Sequence, residues 1–233
     1  MRAEKLHSID FDGRTMPVLV SRNPRAKNMT LRLEPSEDML KLVLPYGVAL
    51  AEGMRFVRQR EGWIKAKLAQ MPPRIPFAPG AMLPLLGQAH IIQHEPKARR
   101  GVWAEAGVIC VSGEAEHLSR RLRDWLKDRA KKEIVKRAQA KAEQVKKRIN
   151  RITLRDPKGR WGSCSPDANL SFSWRLIFAP RDVLDYVVAH EVAHLVELNH
   201  SARFWRLVQK LTPDALRSRA WLKRHGNALQ RYG

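Results

Sequence analysis

"HEVAHLVELNH", residues 190–200, decides how the rest of this chain is read. At about 100° per residue, His190 and His194 fall one turn apart on one helical face, with Glu191 beside them. Two imidazoles at that spacing can share one tetrahedral Zn²⁺, and the intervening glutamate can reach an activated water without entering the coordination sphere. His200 follows six residues after His194, at the start of a further predicted helix, where a short turn brings it back towards the metal. Three protein ligands with an open position is the catalytic pattern, whereas a structural site is closed by a fourth ligand. The expected chemistry is therefore water activation, with His190, His194 and His200 as ligands and Glu191 as general base. Imidazole also suits Ni, Cu and Fe, so another divalent transition metal is compatible with the set.

The spacing from His194 to His200 equals that of the metzincins, and two features exclude that group. Glu197 stands where their pattern has glycine, and all seven methionines lie at or before Met82, so no Met-turn follows His200. Asn199 is the residue expected to turn the chain, in the left-handed conformation.

Working outward, residues 182–198 read as the helix that carries the motif, with Asp182 as N-cap and Val183, Leu184, Val187, Val188 and Leu195 as its apolar surface. "SARFWRLVQKL" and the basic "DALRSRAWLKRHGNALQRYG" predict two more helices after it. Upstream, "ITLRDPKGRWGSC" and "NLSFSWRLIFAP" are β-rich and separated by the turn "SPDA", which predicts a hairpin closed by Pro180. Residues 118–149 predict one long helix, with Leu118, Leu122, Trp125, Leu126, Val135, Ala138, Ala142, Val145 and Ile149 on its apolar stripe. From 118 to 151 that segment carries fourteen Lys or Arg against four Asp or Glu, either a solvated back or a phosphate-contacting surface.

The first third reads as β with one helix. "MTLRLE" and "MLKLVLP", separated by "PSED", predict a hairpin, and residues 50–71 a helix ended by Pro72-Pro73. "IPFAPGAMLPLLGQ" is turn-rich, "AHIIQHE" and "GVICVSG" read as short strands, and no internal repeat is visible. The expected fold is α+β: a zincin-like region over residues 118–233, its β-hairpin packed on the HExxH helix and followed by C-terminal helices. A β-rich region with one helix covers residues 1–117.

Composition narrows the setting. The N-terminus has no apolar stretch of a secretory signal, and no run of about 18 apolar residues predicts a membrane span. Two cysteines, Cys110 and Cys164, make no disulfide framework, which suits the cytosol. The net charge of +21 favours a polyanionic partner or substrate, nucleic acid or nucleotide. Oligomeric state is left open.

The combination "GRWGSCS", "SFSWRLIFAP" and "DYVVAHEVAHLVELNHSARFW" resembles the YgjP-like metal-dependent hydrolases, more distantly related to the SprT-like zinc proteases. "WIKAKL" and "LPLLGQ" extend the resemblance over most of the chain, and it is most specific from Arg160 to Trp205. It implies a zincin-type α+β catalytic region with the same three histidine ligands and Glu191 as base. Trp161, Gly162, Ser163 and Cys164 lie on the strand expected beside the site, which would line the cleft and pair with an extended peptide, or in which Trp161 simply packs and Gly162 simply allows close approach. Arg160, Arg175 and Arg203 lie close in sequence to the site elements and are candidates for holding an anionic substrate. The leading expectation is a zinc-dependent hydrolase of the peptidase type. The alternatives are a nucleotide phosphoanhydride hydrolase of the nucleoside triphosphate pyrophosphatase kind and a nucleic-acid-associated protein braced by zinc.

Overall fold

Alternating apolar residues build the first sheet of the structure, a computed structural model that describes residues 4–11, 13–34 and 37–233. In β2 (Arg14–Arg22) Met16, Val18 and Val20 are buried, and in β4 (Met39–Leu44) Leu40, Leu42 and Leu44 are. These two strands pair in parallel at the sheet centre. β1 (Glu4–Phe11) flanks β2 and β3 (Thr30–Glu34) flanks β4, both antiparallel, giving the order β1-β2-β4-β3. The β3–β4 hairpin is the one read from alternation, although its expected turn over 35–38 lies partly outside the described residues. The helix expected over 50–71 is two helices, α1 (Leu50–Gln59) and α2 (Glu61–Ala69). They break at Arg60, whose backbone leaves helical geometry at φ −100° and ψ 13°. Val57 and Ile64 from these helices join the β2 and β4 side chains in one core.

Residues 1–73 form one contact unit and residues 74–233 a second. The second opens on β5 (Met82–Leu85), β6 (Gln88–Glu95), β7 (Val102–Glu105) and β8 (Val108–Ser112), ordered β5-β6-β8-β7. This is the first sheet's topology again, two antiparallel hairpins joined through a parallel central pair, β6–β8. No sequence repeat announces it. Leu86 and Gly87, at φ 52° and 81°, close the β5–β6 hairpin in the two-residue left-handed form that matches strand twist.

The long helix α3 (Leu118–Gln144) buries Leu118, Leu122, Leu126, Ala130, Ile134 and Ala138 at steps of four. That stripe shares one core with Leu83, Leu85, Ile92 and Ile109 of the preceding strands. The boundary expected after His117 therefore runs through a continuous core, and the contact division falls after Pro73 instead.

The third sheet departs from the predicted hairpin. β10 (Gly162–Cys164) and β11 (Asn169–Ser173) are antiparallel across the turn at 165–168, as read from "SPDA". β9 (Arg151–Arg155) lies on the far side of β11 and runs parallel to it. The segment expected to continue the strand, Trp174–Phe178, is a fully buried 3₁₀ turn capped by Ser173, whose hydroxyl accepts from the Arg175 N–H. Three helices follow: α4 (Arg181–Ala193), α5 (Ala202–Leu211) and α6 (Ala215–Leu229). α4 starts one residue before the expected cap, so Asp182 sits in its first turn and Pro180 at the N-cap. Among the described residues, several small sheets and six helices make a mixed α+β protein, compatible with a zincin-like region and a β-rich N-terminus. No helix among the described residues is long and apolar enough to cross a membrane.

Candidate metal centre

α4 buries Val183, Leu184, Val187, Val188 and Val192, which fixes its rotation and turns His190 and His194 to one side. The helix ends at Ala193, with His194 as C-cap still in helical geometry. The chain then turns without a left-handed residue: the expected left-handed Asn199 instead accepts the Ser201 N–H on its side-chain oxygen at 3.1 Å. Ser201 caps α5, its hydroxyl accepting from the Phe204 N–H. Those two turns return His200 to α4. One ligand atom from each of His190, His194 and His200 lies within 4.8 Å of the others, and Nε2 of His190 and His200 are 3.1 Å apart.

Aromatic side chains of α5 hold the rings. Phe204, fully buried, stacks on His194 with centroids at 4.5 Å, and Trp205 stacks on His200 at 5.8 Å. His194 Nδ1 donates to the Glu197 carbonyl at 3.0 Å, which leaves Nε2 with its lone pair facing the cluster. It is thus the backbone of Glu197, not its carboxylate, that supports this histidine. Burial above all, and then the neighbouring imidazoles, push the His190 pKa down to about 4, so the ring is neutral and its nitrogen available at neutral pH. His190 Nδ1 is buried with no hydrogen-bond partner among the described residues.

These residues fit a metal. Tetrahedral Zn²⁺ at about 2.0–2.1 Å from each nitrogen requires nitrogens roughly 3.3 Å apart, close to the His190–His200 separation. Three imidazoles with no fourth protein donor among the described residues also match an open rather than a closed site.

Glu191 faces the third sheet. A Cβ built on Gly162 would lie 2.6 Å from both Cγ and Oε1 of Glu191, so the edge strand β10 meets this carboxyl backbone-first. Burial raises the Glu191 pKa to about 7, opposed by the charge of Arg160. Cys164, two residues along β10, has its thiol pushed up by burial and by Glu191. Its place beside the carboxyl puts it outside the histidine cluster.

Of the other expected site residues, Arg160 and Ser163 lie at the same strand, Arg160 exposed and Ser163 half-buried. Trp161 packs on α6, where a Cβ on Gly226 would come within 3.3 Å of its ring. Arg203 is exposed in the first turn of α5. Arg175 corrects the expectation of an anion-binding role. It is 5% exposed, pairs bidentately with Asp156 at 2.7 and 3.2 Å, and donates to the Tyr232 carbonyl at 2.6 Å. Its guanidinium is spent on tying the C-terminus to the third sheet.

Two neighbours escaped the sequence reading. Tyr186 lies one turn before His190 on α4, its ring edge-on to the imidazole at 6.1 Å and its pKa raised by burial. Arg219 of α6 lies over the Trp205 ring at 4.8 Å, and its charge reaches both Tyr186 and His190. The four-residue step from Tyr186 to His190 was a usable signal for the first. Nothing local points to the second.

A family model described as YgjP-like, metallopeptidase domain, matches residues 27–225. No curated protein and no solved structure matches the chain.

Proposed function

The chain belongs to the YgjP-like metallopeptidase-domain family, which makes a metal-dependent hydrolase the general expectation, and from that premise we propose that it is a zinc-dependent peptidase in which Glu191 is the general base. His190, His194 and His200 are the residues that would hold the ion. Bound there, a divalent transition metal supplies Lewis acidity, lowering the pKa of water towards ~7 and polarising a scissile carbonyl.

The rest is done by the chain. The Glu191 carboxylate takes a proton from the attacking water and returns it to the nitrogen of the departing amine. Burial keeps its affinity for that proton near neutral, and a divalent ion held by the three histidines would favour the ionised form needed at the start. The β10 edge provides the positioning. Ser173 N–H bonds to the Trp161 carbonyl and Ser165 N–H to the Asn169 carbonyl, so odd-numbered residues of β10 turn their backbone groups towards β11. By that alternation the N–H and C=O of Gly162 and Cys164 point to the outer edge, where an extended peptide can add as a strand.

The observation that carries this reading is the convergence of three imidazoles beside a buried carboxyl fixed against Gly162. The nucleotide-hydrolase reading is weakened, because Arg175 is committed internally and one of its three arginines is withdrawn. The test is Glu191→Gln in the zinc-loaded protein, assayed on an unstructured protein substrate. Bound zinc should be retained and turnover should fall by about 10²–10⁴-fold, while His194→Ala should lose both metal and turnover. Retained turnover in Glu191→Gln would sink the mechanism.

A further inference from the structure

The third sheet has two unlike faces. Strand register places Ile152, Leu170 and Cys164 in one row and Leu154, Phe172 and Gly162 in the next, the face turned to the core and to Glu191. The intervening rows are Arg151 with Asn169, then Thr153 with Ser171 and Ser163, then Arg155 with Ser173. Every side chain on that second face is cationic, hydroxylic or amide.

A groove of about 540 Å³ runs along it, lined by Arg151, Arg155 and Arg160 together with Thr153, Ser163 and Ser171. The three arginines are exposed, and none has an ion-pair partner among the described residues. Asp167 is the single acid in the lining. Arg151 and Arg155 are four residues apart on one strand, so their guanidinium stems stand about 13 Å apart on the same side. Part of the polar floor is already ordered: the Ser165 hydroxyl accepts from both the backbone and the side-chain N–H of Asn169, at 3.2 and 3.3 Å.

Folding has no use for this arrangement. Like charges gathered on one face repel, and Asp167 is the single carboxylate in the lining set against three arginines. Guanidinium forks over a floor of hydroxyls are the donor set that grips phosphate oxygens. The groove has no aromatic platform for stacking bases, so the contacts it offers are to a backbone and not to a sequence. With the net charge of +21, we propose that the polar face of the third sheet is a sequence-independent binding track for the phosphate backbone of a nucleic acid. Arg151 and Arg155 stand in the strand rows opposite Gly162 and Glu191, while Arg160 and Cys164 of the groove lining adjoin the candidate metal centre.

The test is fluorescence anisotropy of a labelled single-stranded oligonucleotide against the full-length protein, between about 50 and 200 mM salt. Arg151→Ala/Arg155→Ala should weaken binding by about tenfold or more and lower the salt slope by about 2. Arg151→Lys/Arg155→Lys should keep the slope while losing part of the affinity, which a merely unfolded variant would not do. The comparison variant is Lys131→Ala/Lys132→Ala/Lys136→Ala on the exposed side of α3. If this triple abolishes binding and the arginine pair does not, the track lies on the helix and the proposal falls. It also falls if a polyglutamate of equal charge displaces the oligonucleotide as well as unlabelled oligonucleotide does.

Discussion

The contact between Gly162 and Glu191 sets how narrow the site is. Only a residue without Cβ lets the β10 backbone come this close, since an added methyl would overlap the carboxyl at 2.6 Å. Gly162→Ala should therefore swing Glu191 out of line while leaving the three imidazoles where they are. We expect zinc content to be unchanged and turnover to fall by about 10²-fold, the scale that a 1 Å misplacement of a catalytic group carries. Metal analysis and peptidase kinetics on one preparation check this; a variant as active as the parent would show that the close approach has no catalytic consequence. At this scale the sequence was legible wherever chemistry is local. The two α4 histidines and Glu191 follow from helical spacing alone. For Gly162 the sequence showed a residue permitting close approach but not its partner, Glu191, which lies 29 residues along on another element. Arg175 was misread for the same reason: nearness in sequence to the site does not reveal that Asp156 and the C-terminal carbonyls have taken its donors.

Among the elements, α4 is held in place by a charged joint as well as by its apolar face. Lys141 of α3 is buried, and its ammonium reaches the Leu211 carbonyl at the end of α5 (2.7 Å) and Asp185 of α4 (2.9 Å). One side chain thus ties the helix bearing two of the histidines to the helix whose aromatics stack on them. Lys141→Met keeps the stem's packing but strips the Leu211 carbonyl of its donor and leaves Asp185 with Arg137 at 3.8 Å. It should cost about 2 kcal/mol, seen as a lower urea midpoint with unchanged slope for the transition of the unit that contains it. No change would mean that water satisfies both acceptors. The elements were read well where one period runs long, as in α3. They were read poorly where partners are chosen at a distance. β9 looked like the first arm of a hairpin because alternation reports which face is buried, not which neighbour pairs or in which direction. The 3₁₀ turn at Trp174–Phe178 looked like strand because, when every residue is buried, no period survives to distinguish the two.

For the whole molecule, each contact unit carries its own core: the β2, β4, α1 and α2 side chains in residues 1–73, and the α3-centred cluster in residues 74–233. The sequence separated a β-rich beginning from a helical end. It set the division too late because β5–β8 resemble β1–β4 in type, and only the shared core assigns them to the second unit. This partition has a thermodynamic signature. All three candidate ligands lie in the second unit, so metal binding should stabilise that unit and leave the first unmoved. At free zinc ~100-fold above its dissociation constant the linkage amounts to about 2.7 kcal/mol. For a unit of this size that raises the melting temperature by roughly 5–10 °C. Calorimetry of the full-length protein, zinc-loaded and then stripped by chelator, should resolve two transitions of which only one shifts. His194→Ala should reproduce the stripped trace with or without added zinc. A single transition moving as a whole would mean that the two cores unfold as one cooperative body. A shift retained in His194→Ala would place the stabilising metal somewhere other than the histidine cluster.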